Sequence, residues 1–307
     1  PIHYEGGING NWTGGHSLTD VICPMYPSIK AILDYAKSGK QDRPLIMCEY
    51  SHAMGNSNGT LKEYWDAIHS TPGLQGGFIW EFWDHGIEQT MADGTKRSAY
   101  GGDFGETPHD GNFVCDGMVF PDRTPKPAMH EMKAIASPVV ISTTKASSGS
   151  FTVTNRQYFK DLADFEAFWS INRNGEVIDS GKVVLPKIAP QKSAKISIKS
   201  KSLLKPDAAG ERFINFTVVQ KNRTDWAPAG HEVAWNQFAL PSRKESIPAA
   251  KINSLFDIAV DDAGEIQIPF GVLAPELSLW RAPTDNDRIG RITTKWEQYG
   301  VRELERT

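Results

Sequence analysis

At 307 residues the chain is long enough for two or three domains, and its net charge of -4, with Lys and Arg scattered, gives no basic face for tracking phosphates. Nucleic acid is therefore not an expected partner. No apolar run approaches the roughly 20 residues needed to cross a bilayer, and Pro1-Ile2-His3-Tyr4-Glu5-Gly6-Gly7 has neither the basic start nor the apolar centre of a secretory signal, so no membrane is expected either.

The first 135 or so residues alternate short apolar runs with helical patterns, the order of βα units and a parallel sheet. Val21-Ile22-Cys23-Pro24-Met25-Tyr26 reads as a strand. Ile29, Ile32, Leu33 and Ala36 then recur at helical spacing, with Lys37, Gly39 and Lys40 as a stop. Leu45-Ile46-Met47-Cys48 reads as a strand covered on both faces, and its helix is predicted to start at Thr60, with Glu63 completing a capping box. Leu61, Tyr64, Trp65 and Ile68 give that helix an apolar stripe, ended by Pro72-Gly73. A third strand, Gly77-Phe78-Ile79-Trp80, leads into Glu81 and Asp84. A Gly-rich stretch from about Ser98 to Phe120 precedes a last helix opened by Pro127, and a loop of that length within a compact domain is usually functional or disordered.

After Pro138 the pattern turns to β. Phe165, Ala167, Trp169 and Ile171 alternate with polar residues, Asn174-Gly175 is a strong hairpin signal, and Ile214, Phe216 and Val218 alternate again. One β-sandwich is expected here. Pro241 to Pro248 reads as a linker, and the remaining residues begin another β-rich unit.

In a parallel βα barrel the site forms where strands end, which singles out Glu49, Tyr26 and the Trp80-Glu81 pair, with His52 three residues behind Glu49. A lone Glu there is ordinarily an ion-pair partner, and Tyr26, His52 and Trp80 each have a packing or supporting role as the plain alternative. Together they suit a sugar site, where ring faces cover C–H surfaces and polar groups fix hydroxyls. A retaining glycosidase needs a carboxylate nucleophile, and Glu49 fills that role if a phenol such as Tyr26 donates a hydrogen bond that keeps it ionised. Asp103, Glu106, His109, Asp110, Phe113 and Asp116 lie on the long loop, where acidic groups more often cap turns than bind metal, although hard cations do take oxygens from such loops. Asp285-Asn286-Asp287 only superficially resembles a calcium loop, because the twelfth position is Trp296 where Glu is required. Cys23, Cys48 and Cys115 are odd in number and lack close pairing; they read as small buried hydrophobes, compatible with a reducing compartment, and the cytoplasm is the expected location.

Ile22-Cys23-Pro24-Met25-Tyr26, Cys48-Glu49-Tyr50-Ser51-His52-Ala53-Met54-Gly55-Asn56-Ser57, Leu74-Gln75-Gly76-Gly77-Phe78-Ile79-Trp80 and Tyr100-Gly101-Gly102-Asp103-Phe104-Gly105 together resemble the large bacterial β-galactosidases of glycoside hydrolase family two. The likeness continues more weakly to Trp280-Arg281-Ala282-Pro283-Thr284-Asp285-Asn286-Asp287. It implies a multidomain chain: the second half of a (β/α)8 TIM barrel over residues 1–137, an immunoglobulin-like β-sandwich over 138–243, and the start of a further, galactose-mutarotase-like β-sandwich domain over 244–307.

The resemblance makes Glu49 the nucleophile and Tyr26 its proton-sharing phenol. It puts His52 on the galactosyl hydroxyls, makes Trp80 a pocket wall, and gives the main-chain carbonyl of Phe113 and the carboxylate of Asp116 to a sodium ion beside the sugar. Asp116 stands where the best-known members have Asn, and His109 replaces an Asn near an outer magnesium. The resemblance also places the acid/base Glu and the main Mg2+ ligands upstream of the part resembling Pro1 to Gly7, so these 307 residues alone are expected to be inactive. A β-galactoside substrate and a homo-oligomeric enzyme follow from the same likeness. A β-glucuronidase or β-mannosidase of the same family, or a non-catalytic carbohydrate-binding segment, are the alternatives.

Overall fold

The computed structural model of the chain describes residues 1–55, 57–204, 210–242, 259–262, 266–267 and 280–303. These fall into two compact units, one built from residues up to Met132 together with those after residue 258, the other running from Lys133 to residue 242.

In the first unit, helix α1 (Ile29–Lys37) is capped by Ser28, whose side chain accepts from Ala31 N at 3.1 Å, and it buries Ile32 and Tyr35. Strand β1 (Leu45–Tyr50) pairs in parallel with β2 (Leu74–Ile79), with Leu45 beside Leu74, Met47 beside Gly77 and Tyr50 beside Ile79. Parallel neighbours require a crossover, which helix α2 (Leu61–Ser70) supplies. Ile22, Ile32, Leu45, Met47, Tyr50 and Leu61 are essentially inaccessible and form the core of this unit.

Two expectations need correction here. The strand read over Val21–Tyr26 is present as two isolated parallel bridges, Ile22 to Leu45 and Met25 to Glu49, on the far side of β1 from β2. Pro24 is the reason: its carbonyl accepts from Cys48 N at 3.2 Å, but it has no N–H with which to continue the ladder. The capping box before α2 does not form, because Thr60 has φ +66° and its hydroxyl donates to the Gly59 carbonyl at 2.6 Å. A glutamate from the last helix serves instead, Lys62 N donating to Glu131 Oε1 at 3.3 Å.

A hairpin of β3 (Ile87–Thr90) and β4 (Lys96–Ala99) stands where no strand is predicted. Its turn is closed by Asp93, whose Oδ1 accepts from Thr95 N at 2.9 Å, and by Gly94 at φ +85°. Helix α3 (Pro127–Ile135) begins at the predicted proline. Among the described residues the parallel pairing does not close into a barrel.

The second unit is antiparallel throughout. Strands β5 (Val139–Ser142), β6 (Ser150–Asn155) and β9 (Ser193–Ser197) form one sheet in the order β5-β6-β9. The other runs β11-β10-β7-β8, built from β7 (Phe165–Arg173), β8 (Glu176–Val183), β10 (Arg212–Gln220) and β11 (Glu232–Ala239). Asn174 and Gly175 make the β7–β8 turn at φ +49° and +87°, the left-handed pair this two-residue hairpin needs. The inward residues of β10, Ile214, Phe216 and Val218, are buried against Phe151, Val153, Ala167 and Ile171 in one continuous core shared by the two sheets.

The linker expected over Pro241 to Pro248 and much of the unit expected over 244–307 lie outside the described residues. Within the latter, Ala259–Val260 pairs antiparallel with Ile266–Gln267, and the segment after Trp280 is helical, as α4 (Asp285–Ile289) and α5 (Ile292–Gln298).

Candidate active site

The end of β1 sets the geometry. Glu49 lies one residue before the strand stops, and its carbonyl accepts from Tyr26 N at 2.8 Å, which ties the end of the Ile22–Met25 segment to it. Tyr26 and Ser51 both adopt left-handed backbone conformations, φ +46° and +52°, so the chain turns sharply on either side of the nucleophile candidate. The Tyr26 phenol hydrogen-bonds the Glu49 carboxyl. Burial first, then that hydrogen bond and the Glu49 charge, push the phenol well above its ordinary range, so it remains a donor.

His52 follows on the loop out of β1, with only 14% of its side chain exposed. Its ring meets Tyr26 edge-on at a centroid distance of 6.3 Å and stacks on Phe113 at 5.7 Å. Nε2 lies 3.5 Å from Asp116 Oδ2, and Nδ1 lies 2.7 Å from Asn286 Oδ1.

Trp80 ends the β2 run. Its N–H donates to the Tyr50 carbonyl at 3.2 Å, its carbonyl accepts from Ala53 N at 2.8 Å, and its indole Nε1 donates to Asp116 Oδ2 at 3.0 Å. The ring is 40% exposed, so an indole face is open to a ligand while its polar edge is fixed. The Trp80–Glu81 peptide is cis.

Asp116 joins these parts. Its backbone carbonyl accepts from Glu81 N at 2.8 Å, and the following Gly117 N donates to Asp84 Oδ1 at 2.7 Å. Asp84 is held in turn by Lys126 Nζ at 2.8 Å, a nearly solvent-free ion pair whose rupture would leave an uncompensated charge. A Cβ on Gly117 would collide with the backbone of Trp83 and Asp84, so only glycine permits this approach. Asp116 is 2% exposed, and its Oδ1 is buried without a hydrogen-bond partner. A buried carboxylate oxygen without a partner is a ligand of the kind that hard cations take. A group of three or more His, Cys, Asp or Glu side chains able to hold a metal is not present among the described residues.

The site residues singled out in the sequence, Tyr26, Glu49, His52, Trp80, Phe113 and Asp116, thus form a connected set. Asp103, Glu106 and His109 of the same loop make turn contacts instead. Asp103 accepts from Tyr100 N at 2.8 Å, Glu106 from Gly102 N at 2.6 Å, and His109 from Gly111 N at 3.1 Å, each closing a turn of its own loop.

Two links in the set escaped sequence reasoning. Glu81 faces Asp116, and burial, followed by that neighbouring carboxylate, pushes its carboxyl up to about 7, with His85 at 3.1 Å opposing the shift. Its position directly after a strand was visible, but a pairing across 35 positions to Asp116 was not. Asn286 reaches His52 from 234 positions away, and nothing in its local sequence signals that contact.

Comparison with known proteins identifies the family. Residues 1–141 match the model of glycosyl hydrolases family 2, TIM barrel domain, and residues 151–241 match that of β-galactosidase, domain 4. A β-galactosidase of Arthrobacter is 38% identical over 94% of this chain and 30% of its own length. Those of Photobacterium profundum and Priestia megaterium are 33% and 32% identical over 100% and 99% of the chain, and 34% and 31% of their own lengths. The chain spans about a third of the length of these relatives.

Proposed function

The chain belongs to glycosyl hydrolases family 2, and on that premise we propose that the polypeptide carrying it hydrolyses terminal β-galactosides by a retaining, two-step mechanism. The observation that supports the reading most strongly is the Tyr26 phenol held against the Glu49 carboxyl at a strand end, with His52, Trp80 and Asp116 around the same point.

In the first step the Glu49 carboxylate attacks the anomeric carbon. The bond to the leaving-group oxygen breaks, and a second carboxylic acid, supplied by a part of the polypeptide outside these residues, gives its proton to that oxygen. In the second step that group, now a base, takes a proton from water, which displaces Glu49 from the sugar. Tyr26 donates a hydrogen bond to the Glu49 carboxylate before attack and again as the carboxylate leaves. Trp80 offers an apolar face to the sugar C–H surface, and Asp116 prevents its indole from turning. His52 hydrogen-bonds a sugar hydroxyl.

Sodium is the metal that these residues fit, with Asp116 Oδ1 and the Phe113 carbonyl as its ligands; when bound it would add a fixed positive charge beside the sugar. Magnesium, in this reading, is held by other parts of the polypeptide. Residues 1–137 are read as barrel and 138–243 as an immunoglobulin-like sandwich.

Kinetics of the complete polypeptide on matched aryl β-galactoside, β-glucuronide and β-mannoside test the proposal, with sodium varied in the wild type and in Asp116→Ala. Preference for galactoside, with a sodium dependence that Asp116→Ala changes, is expected. Preference for the glucuronide or mannoside would move the reading to a sister activity, and binding of galactose without turnover would make the chain part of a carbohydrate-binding protein.

A further inference from the structure

The Asp285-Asn286-Asp287 motif, which is no calcium loop, lies against the loop that carries His52. Asn286 makes two contacts with this one residue: its Nδ2 donates to the His52 carbonyl at 3.1 Å, and its Oδ1 faces His52 Nδ1 at 2.7 Å. The neighbouring Asp285 carboxylate occupies the space where a Cβ on Gly55 would stand, and Gly55 has φ +60°.

The orientation of the amide is fixed by chemistry. Only the NH2 end can donate to a carbonyl, so the oxygen end must face Nδ1, and Nδ1 must carry the hydrogen. The amide is itself held by a braced turn. Asp287 accepts from Arg281 through Nη1 at 2.6 Å and Nη2 at 2.9 Å, the two-pronged geometry that resists rotation. Thr284 completes a capping box with Asp287, whose carboxyl the Arg281 guanidinium and the Thr284 N–H hold well below the usual carboxylate range.

We infer that Asn286 is a positioning residue for His52: it makes Nδ1 the hydrogen-bearing nitrogen, so that when the ring carries one proton Nε2 presents a lone pair and a sugar hydroxyl donates to it. Nε2 is the nitrogen on the Asp116 side of the ring, at 3.5 Å from Oδ2, longer than an ordinary hydrogen bond and so not committed to that carboxylate. His52 becomes an acceptor-only contact, which selects for a hydroxyl at that position and against a group that lacks a hydrogen to give. Which ring nitrogen carries the proton is set by the partner of the other nitrogen, and here the partner comes from a distant part of the sequence. This inference rests on the proposed sugar-binding role of His52 for its consequence, but not for the tautomer itself.

The experiment is nitrogen NMR of the complete polypeptide labelled with 15N-histidine, the His52 signals being identified by their loss in His52→Gln, together with steady-state kinetics on an aryl β-galactoside. The expected wild-type spectrum has Nδ1 protonated and Nε2 bare. Asn286→Leu should release the tautomer and lower kcat/KM about ten-fold, mainly through KM, as for loss of a hydrogen bond that fixes a binding group. Asn286→Asp, which keeps an acceptor for Nδ1 but loses the donor to the His52 carbonyl, should keep Nδ1 protonated, and Arg288→Ala, an exposed change two positions on, should alter neither tautomer nor KM.

An Nε2–H tautomer in the wild type would overturn the inference even if a variant failed to fold. So would Asn286→Leu that leaves tautomer and KM unchanged in a folded protein. Wild-type protein with the expected tautomer but no galactosidase activity would defeat the proposed function alone.

Discussion

The sandwich and the parallel unit differ in the carboxylates they bury: among the described residues the buried polar side chains of the sandwich include none, and those of the parallel unit include Asp84 and Asp116. In the sandwich buried amide and guanidinium groups turn mainly onto backbone carbonyls: Asn155 Nδ2 donates to Lys160 O at 2.8 Å and Ile188 O at 3.0 Å, and Arg212 Nη1 donates to Pro241 O at 2.9 Å, although Arg212 Nε has no partner. These contacts tie loops to a core and end there. In the parallel unit a carboxylate is buried with one oxygen unsatisfied, a second is pushed up to about 7 beside it, and open aromatic faces stand around them. Two carboxylates facing each other beside open aromatic faces mark a region arranged for something other than its own stability.

That contrast can be broken by mutation, and the largest expected effect is on turnover. Glu49→Gln in the complete polypeptide should lower kcat by several powers of ten while leaving the unfolding midpoint in place, since it removes the atom that forms the covalent bond; near-normal turnover would end the assignment. Phe216→Ala in the sandwich should do the reverse. Phe216 is 1% exposed and packs edge-to-face on Phe151 at 4.7 Å, so its loss should cost about 4 kcal/mol in urea titration, with kcat of the remaining folded protein unchanged.

Tyr26→Phe should slow the chemical steps by about ten- to a hundred-fold, the effect of losing a charge-assisted hydrogen bond, with no loss of stability. An unchanged rate would return the ring to a packing role.

The smallest effect is a slope. Because Glu81 in the folded protein holds its proton more tightly than in the unfolded chain, its contribution to stability is present at acid pH and is lost as pH rises from the ordinary carboxylate range through about 7. The thermal midpoint of the wild type should fall across that window, and Glu81→Gln should flatten the fall. A wild-type midpoint that rises through the window would contradict this environment for Glu81.

What could be read from the sequence follows the range of the forces involved. Alternation placed Ile214, Phe216 and Val218 on the inner face of β10, and Asn174-Gly175 marked the β7–β8 turn, because both signals act over a few residues. Glu49, Tyr26 and Trp80 were legible because polar residues directly after apolar strand runs stand at one rim of a parallel sheet. The Thr60 capping box failed because the pattern does not encode backbone conformation, and a left-handed Thr60 turns its hydroxyl away. Pro24 was visible in the strand it interrupts, and its missing N–H was the neglected signal. The Glu81–Asp116 pair and the Asn286–His52 contact depend on loop closures over long separations, which no local pattern records.

The central claim is that Glu49 forms a bond to galactose. It is tested most directly by treating the complete polypeptide with a 2-deoxy-2-fluoro-β-galactoside bearing a good leaving group, and with the matching glucuronide, followed by peptide mapping by mass spectrometry. The fluorine slows both steps and the leaving group lets the intermediate accumulate. The account predicts a fluorogalactosyl adduct on the peptide that contains Glu49. An adduct on another carboxylate, one from the glucuronide alone, or none at all in a folded and ligand-binding protein would contradict it.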